Sequence, residues 1–205
     1  MEGIRARGSI CDFLRGQGMY ETMEQLQTVC KGCHACELSK TRTNVVFGVG
    51  SCKSRLLFVG EGPGEQEDLT GEPFVGRAGK LLDKFLEAID LSRADVYIAN
   101  IVKCRPPGNR DPLPEEQEAC IGYLREQVRL IRPRLLVCLG RVAAQRIISP
   151  DFKVTRQHGE WLERGGMLLM GTFHPAALLR NPSNKPQAFE DFLKIREQLA
   201  LLDQI

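Results

Sequence analysis

Short apolar runs alternate with longer segments of helical periodicity from about residue 28 onward. Four apolar runs are predicted strands, at residues 56–59, 96–102, 135–139 and 168–173. Predicted helices cover residues 79–89, 114–131, 141–148 and 187–202. Strands that alternate with helices are typical of a parallel sheet covered on both faces, so the pattern predicts a three-layer α/β/α sandwich. A ligand pocket is then expected at the carboxyl ends of the strands.

The length and composition fit one domain with an extension. The chain has 205 residues, 42% of them hydrophobic, which is enough for a sizeable core. Residues 1–27 contain four glycines among charged residues, and we predict that they form an N-terminal extension, disordered or helical, before a domain at residues 28–205. The first residues lack the apolar core of a signal peptide, and no later stretch approaches the roughly 18 apolar residues of a membrane span. We therefore expect a soluble, cytoplasmic protein.

Charge is unevenly distributed, although the formal net charge is only +2. Residues 61–72 contain five carboxylates and no lysine or arginine, whereas residues 141–185 contain seven basic residues and three acidic ones. A solvated surface of mixed charge explains this pattern. A basic rim beside an acidic pocket explains it as well, and would suit a polyanion that delivers a neutral group into a site.

Eight cysteines are many for a cytoplasmic protein, in which disulfides rarely persist. Cys33 and Cys36 form a C-x2-C pair, and Cys104 and Cys120 lie far downstream, so four thiolates could complete a zinc site or an iron-sulfur site. Spacing alone leaves zinc, a 4Fe-4S cluster and no metal open. The other cysteines, with one nearby histidine, are interpreted as a spare ligand (Cys30), structural or incidental residues (Cys11, Cys52, Cys138) and an alternative zinc ligand (His34).

A glycine-rich segment, GEGPGEQED, follows the first predicted strand at residues 60–68. A phosphate-binding loop is the first interpretation to test, and it fails on two counts. Glu65 stands where the dinucleotide motif needs glycine, and the run of carboxylates would repel pyrophosphate. The glycines instead allow the backbone to approach a ligand closely, and the acidic residues suit a neutral ligand or a developing cation.

Three motifs together resemble the type-4 uracil-DNA glycosylases. They are GEGPGEQED with GEPFVGRAG at 60–79, Asn100 with KCRPPGNR at 103–110, and HPAALLRNP at 174–182. The resemblance covers roughly residues 30–200 in order. It implies the uracil-DNA glycosylase fold, with a central four-stranded parallel sheet, and it implies that Cys33, Cys36, Cys104 and Cys120 hold a 4Fe-4S cluster.

The resemblance also implies a monofunctional glycosylase that flips uracil out of DNA and hydrolyses its N-glycosidic bond, which initiates base excision repair. Phe74 would stack on the flipped base, beside Gly62, and Asn100 would read the uracil edge. Glu67 would lie close to the 5-position and exclude the methyl group of thymine. His174, as a neutral imidazole, would donate to uracil O2, and Glu61 with Glu67 would position water or favour the cationic sugar.

Contacts with DNA follow from the same resemblance. Leu178 or Leu179 would fill the gap left by the base, Arg180 would lie near the backbone, and Arg105 and Arg110 would face phosphates. Without the resemblance, both leucines would be assigned to the core. The expected partner is uracil-containing DNA, double- or single-stranded, bound by a monomer; the sequence says nothing of a sliding clamp.

Some features depart from the family pattern or leave rivals open. His158 stands where arginine is expected, so its role stays open. The chain has no inserted basic loop that would trap DNA covalently, and no pocket lysine for a lyase step, so we expect hydrolytic turnover. The rival from another class is a non-catalytic iron-sulfur module that binds nucleic acid or senses redox state.

Overall fold

The computed structural model describes residues 18–202, which contain a six-stranded sheet. Its strands are β1 (Val49–Gly50), β2 (Leu56–Gly60), β3 (Tyr97–Asn100), β4 (Leu135–Leu139), β5 (Leu162–Arg164) and β6 (Met167–Thr172). The order across the sheet is β1-β3-β2-β4-β6-β5. The inner strands β3, β2, β4 and β6 are parallel, whereas β1 and β5 pair antiparallel at the edges. The predicted central parallel sheet is therefore confirmed, with an antiparallel strand added at each edge.

Helices cover both faces and connect the strands. They are α1 (Met23–Lys31), α2 (Glu65–Thr70), α3 (Arg77–Glu87), α4 (Pro114–Ile131), α5 (Arg141–Ile147), α6 (Val154–Gln157), α7 (Pro175–Arg180) and α8 (Lys185–Leu202). The predicted helices correspond to α3, α4, α5 and α8, with ends that differ by at most two residues. The sequence pattern missed α1, α2, α6 and α7.

The alternation of side chains along β2 shows how the layers form. Leu57 and Val59 belong to the core cluster that α4 and α5 cover, and Leu56 and Phe58 belong to the cluster under α3 and α8. On that second face the Phe58 and Phe192 rings stack with centroids 5.7 Å apart. Both faces of the sheet are thus buried, and the three-layer sandwich is confirmed.

Helix α4 begins where its sequence signals place it. Pro114 occupies the first turn, where its missing N–H leaves no bond unmade. The Glu116 carboxylate accepts a hydrogen bond from the backbone N–H of Leu113 at 2.7 Å, which satisfies a donor at the helix start. The helix ends at Ile131, and the C-cap residue Arg132 adopts a left-handed conformation with φ 55°.

Helix α1 crosses residue 28, the predicted start of the domain. Thr22 caps the helix by accepting from the backbone N–H of Gln25, and Leu26 and Cys30 pack against Phe47. Packed structure therefore begins before residue 28, and the division at that residue stays a proposal. Residues 1–17, with Cys11, lie outside the described part. Within residues 18–202 no helix is long and apolar enough to cross a membrane.

Candidate active site

A cavity of about 700 Å³ opens at the carboxyl ends of the parallel strands. Residues that directly follow or end four neighbouring strands line it, because these strand ends meet at one edge of the sheet. They are Glu61 and Gly62 after β2, Asn100 at the end of β3, Gly140 after β4, and Phe173 and His174 after β6. The pocket therefore lies where the sequence pattern predicted it.

Gly60 is the residue that lets two pocket side chains come together. A Cβ atom at this position would lie 2.4 Å from Asn100 Oδ1 and 2.6 Å from Phe74 Cζ, both far inside van der Waals contact. Only glycine fits there without displacing a neighbour. The glycine-rich segment is thus used for close packing beneath the pocket.

Asn100 ends β3 and is buried, with 1% of its surface exposed. Asn100 lines the pocket, and its buried Oδ1 atom has no hydrogen-bond partner among residues 18–202. An unpaired buried acceptor destabilises a fold by about 1–3 kcal/mol. Such an atom indicates that a donor from a ligand completes the site.

Phe74 lies in the pocket with an unusual backbone. Its φ is 55°, an uncommon value for an aromatic residue, and it is 5% exposed. Arg93 donates to the carbonyl oxygens of Pro73 and Phe74 while its Nε pairs with Asp83 at 2.7 Å. A Cβ atom at Gly79 would lie 1.6 Å from the Phe74 carbonyl oxygen, so this fold of the loop requires glycine there.

His174 is the N-cap residue of α7 and lines the same pocket. Its Nδ1 atom accepts a hydrogen bond from the backbone N–H of Ala176 at 3.1 Å, which places the proton of the neutral ring on Nε2. Burial, with a further contribution from the Arg180 charge, lowers the pKa of His174 to about 4. The ring lies 5.7 Å from the Phe74 ring, centroid to centroid. At neutral pH this imidazole is an uncharged donor.

Two carboxylates of the glycine-rich segment line the pocket. Burial, followed by the nearby Asp111 carboxylate, raises the pKa of Glu61 to about 7. Glu67 is half-buried, and its Oε1 accepts from the backbone N–H of Gly76 at 2.8 Å. This hydrogen bond fixes the Glu67 side chain beside the loop that carries Phe74.

The two leucines of α7 differ in their surroundings. Leu178 is 1% exposed and belongs to the core cluster under α3 and α8, so it cannot enter DNA without unfolding the helix. Leu179 is half-buried, and Arg180 is exposed at the pocket rim. Packing therefore leaves Leu179 as the more accessible of the two leucines, and the role of either in filling the gap stays a prediction.

The other predicted DNA contacts already have partners within the protein. Arg105 donates to Asn109 Oδ1 at 2.8 Å, and its guanidinium lies 3.9 Å from Glu65. Arg110 forms two hydrogen bonds with the Glu116 carboxylate, at 2.8 and 2.7 Å. Glu116 thereby fixes Arg110 at the pocket edge. A phosphate contact would have to use the remaining donors of these side chains.

A second, small cavity lies beside the pocket and is lined by cysteines. Its lining includes all four predicted ligands and also Cys30, together with Arg42 and Lys103. The four predicted ligands come from two distant segments, before β1 and after β3. The structure therefore brings them together as predicted from the resemblance, and it adds Cys30 as a fifth neighbour.

Two of these sulfur atoms accept hydrogen bonds. Arg42 Nη1 donates to Cys104 Sγ at 3.2 Å, and the backbone N–H of Lys103 donates to Cys120 Sγ at 3.2 Å. Within residues 18–202 no group of three or more histidine, cysteine or acidic side chains is arranged to hold a single metal ion. The four predicted ligands share the lining of one cavity.

Of the remaining candidates, Cys138 is fully buried in β4, Cys52 is exposed, and His34 is not among the residues that line the cysteine cavity. His158 contacts a buried carboxylate of the protein. Its Nδ1 lies 2.9 Å from a carboxylate oxygen of Asp191, which is 1% exposed and also accepts from Thr172 Oγ1 at 2.5 Å.

Asp111, Asn109 and Arg141 also line the pocket and were missed from the sequence. Asp111 pairs with Arg141, which joins the loop after β3 to the start of α5. The available signal was the position of Arg141 two residues after a predicted strand. A basic rim beside an acidic pocket is one explanation of the charge distribution along the sequence. Arg141 and Arg180 are the basic residues within 141–185 that line the pocket.

Comparisons with known proteins agree with this arrangement. Residues 47–200 match the model of the uracil DNA glycosylase superfamily. The chain is 48% identical over 185 residues to a type-4 uracil-DNA glycosylase of Archaeoglobus fulgidus, over 86% of this chain and 93% of that one. It is 49% identical over 169 residues to that of Thermotoga maritima, over 80% and 87%, and 41% identical over 189 residues to that of Saccharolobus solfataricus, over 88% of each. The chain therefore belongs to the type-4 uracil-DNA glycosylases of the uracil DNA glycosylase superfamily, as its three motifs predicted.

Proposed function

We propose that this protein excises uracil from DNA by hydrolysing the N-glycosidic bond, which leaves free uracil and an abasic site. The observation that carries the proposal is the buried, unpartnered Oδ1 of Asn100 in the pocket. The names of the relatives support the same activity. The substrate is uracil-containing DNA, bound by a monomer, and we keep the cytoplasm as the proposed location.

Asn100 would select the base by its hydrogen-bonding pattern. Its Oδ1 accepts from uracil N3–H while its amide group donates to O4. Cytosine presents an acceptor at N3 and a donor at position 4, so both contacts would fail. Each buried polar group left unpaired costs about 1–3 kcal/mol, which is enough for strong discrimination.

The pocket would also select by shape. Phe74 would stack on the extruded base, a contact worth about 1–3 kcal/mol. Gly62 allows the pocket wall to pack closely against Val102, because a Cβ atom at position 62 would lie 2.8 Å from Val102 Cγ2. Glu67, fixed by its bond to Gly76, would crowd the 5-position and exclude the methyl group of thymine.

His174 would stabilise the departing base. Negative charge builds on uracil O2 as the glycosidic bond breaks, and a donor aimed at that atom lowers the barrier. The ring meets this need because Nδ1 is occupied as an acceptor and Nε2 carries the proton. The low pKa of His174 keeps the imidazole neutral at physiological pH, so the ring donates a hydrogen bond through Nε2–H as an uncharged group.

The positive charge that develops on the sugar requires a negative group nearby. Hydrolysis also requires a positioned water molecule. Glu61 lines the pocket directly after β2, and we propose that its carboxylate, with that of Glu67, positions water and favours the cationic sugar. Because the Glu61 pKa is about 7, the carboxylate forms as the pH rises through neutrality.

DNA would be held at the pocket rim. Leu179 would fill the gap left by the extruded base, and Arg180 would contact the backbone. Arg105 and Arg110 would contact phosphates with the donors that Asn109 and Glu116 leave available.

We further propose that Cys33, Cys36, Cys104 and Cys120 hold a 4Fe-4S cluster. The fit is supported by four cysteines that line one cavity, which is the donor set that a 4Fe-4S cluster requires. Backbone and guanidinium donors to two of the sulfur atoms suit thiolates. When bound, the cluster would join two distant segments of the chain beside the pocket.

The test uses duplex and single-stranded oligonucleotides that carry one uracil, with thymine and cytosine controls, followed by alkali. Scission at uracil alone, and only after alkali, is expected for a monofunctional glycosylase. Asn100→Ala should lose most of the activity. If protein with its iron content intact binds DNA yet releases no uracil from any substrate, the proposal is wrong and the non-catalytic iron-sulfur module replaces it.

A further inference from the structure

Lys103 is a fully buried cation between the pocket and the cysteine cavity. It is 1% exposed, and its Nζ donates to the backbone carbonyl oxygen of Asn100 at 3.0 Å and to Gln127 Oε1 at 2.6 Å. No carboxylate of residues 18–202 forms a salt bridge with it. An uncompensated buried charge costs several kcal/mol, so a negative group close to Lys103 would stabilise its ammonium form.

The negative group lies on the cysteine side. Lys103 lines the cysteine cavity together with Cys30, Cys104 and Cys120. Its own backbone N–H donates to Cys120 Sγ at 3.2 Å. Four thiolates around a cluster would supply the negative charge that no carboxylate supplies here, and nearby charge and hydrogen bonds to sulfur tune such a centre.

The ammonium group of Lys103 contacts the base reader. Lys103 Nζ binds the backbone of Asn100, three residues earlier, and closes the bend that follows β3. The side chain of Asn100 carries the unpartnered Oδ1 of the pocket. Residues 100–104 therefore contain the reader at one end and the proposed cluster ligand Cys104 at the other, and Lys103 between them bonds to the Asn100 backbone and to Cys120 Sγ.

We propose that Lys103 is a positioning residue: its ammonium group is the counter-charge of the iron-sulfur site, and its bond to Asn100 couples that site to the orientation of the base reader. This inference rests on the proposed function. It gives the cysteine site a task in base recognition, carried by a single side chain.

The test compares Lys103→Met, which removes the charge and both hydrogen bonds, with Lys103→Gln, which removes the charge and keeps a donor. Lys84→Met, on the exposed face of α3, is the matched control. Each protein is purified with its cluster, and iron per chain, reduction potential, DNA affinity and single-turnover uracil release are measured. The potential reports on charge, and the rate reports on the reader.

Lys103→Met should shift the potential to more negative values and lower iron affinity or the single-turnover rate by roughly 10- to 100-fold, with DNA affinity unchanged. Lys103→Gln should show the same shift in potential with a smaller loss of rate, and it carries the test if the Met variant does not fold. Wild-type potential and rate in a folded Lys103→Gln protein would overturn the inference. Wild-type protein that holds no iron or releases no uracil would instead contradict the proposed function.

Discussion

Two neighbouring leucines of α7 offer a matched pair of substitutions that separates core packing from DNA contact. Leu178→Ala removes a side chain that is 1% exposed in the core under α3 and α8. Truncation of a buried leucine costs about 2–5 kcal/mol. For a chain of this size each kcal/mol lowers Tm by roughly 2–4 °C, so the expected decrease is roughly 4–20 °C. Leu179→Ala, at a half-buried position, should lower Tm much less.

The kinetic effects should run in the opposite order. Extruding a base from a duplex costs a few kcal/mol, and a side chain that fills the gap recovers part of it. Leu179→Ala should therefore slow uracil release from a duplex by roughly tenfold or more, which corresponds to a loss of about 1.4 kcal/mol. Release from single-stranded DNA should stay near the wild-type rate, because no stacked gap has to be filled.

The assay is single-turnover release from matched duplex and single-stranded substrates, at a temperature where thermal unfolding shows both variants folded. The informative quantity is the ratio of the two rates, since a general loss of stability affects both substrates alike. An unchanged ratio in Leu179→Ala would refute the assignment. A selective loss on duplex DNA in folded Leu178→Ala, without a lower Tm, would show that the burial argument is wrong.

Other predictions test the pocket and the cysteines. Gly60→Ala should abolish most uracil release, because the added carbon would lie 2.4 Å from Asn100 Oδ1; single-turnover kinetics and a thermal melt check this. The rate should rise with pH through about 7 as Glu61 ionises, Asp111→Asn should move the rise to lower pH by removing a negative neighbour, and Glu61→Gln should flatten the profile. Iron analysis should find a lower content after Cys36→Ala and a wild-type content after Cys30→Ala.

The inner strands and long helices could be predicted because their signals are local and continuous. All five residues of β4 are buried, so an unbroken apolar run marks the strand. The start of α4 follows from Pro114 and the acidic residues after it. The edge strands β1 and β5 gave no such signal, since they are only two and three residues long and partly exposed. The helices α2, α6 and α7 have four to six residues, too few to show a period.

Some members of the candidate site were predictable from the sequence, but their contacts were not. The motifs named Asn100, His174 and Phe74, and the structure places all three on one pocket. The choice between Leu178 and Leu179 depends on which face of a six-residue helix meets the core, and only tertiary packing decides that. Asp111 was missed because an acidic residue in a polar loop has no pattern that relates it to Glu61, which lies fifty residues earlier.

Several features that weaken a fold converge on this pocket, and their convergence argues for a ligand. Asn100 leaves a buried acceptor without a partner, and Phe74 holds a backbone conformation that an aromatic residue rarely adopts. Each such feature costs on the order of 1–3 kcal/mol and persists only where the surroundings enforce it. Here Gly79 leaves room for the Phe74 carbonyl group, and Lys103 donates a hydrogen bond to the Asn100 carbonyl group. Stability alone would favour a paired acceptor at residue 100 and an ordinary backbone conformation at residue 74, so a ligand that binds in the cavity best explains both features.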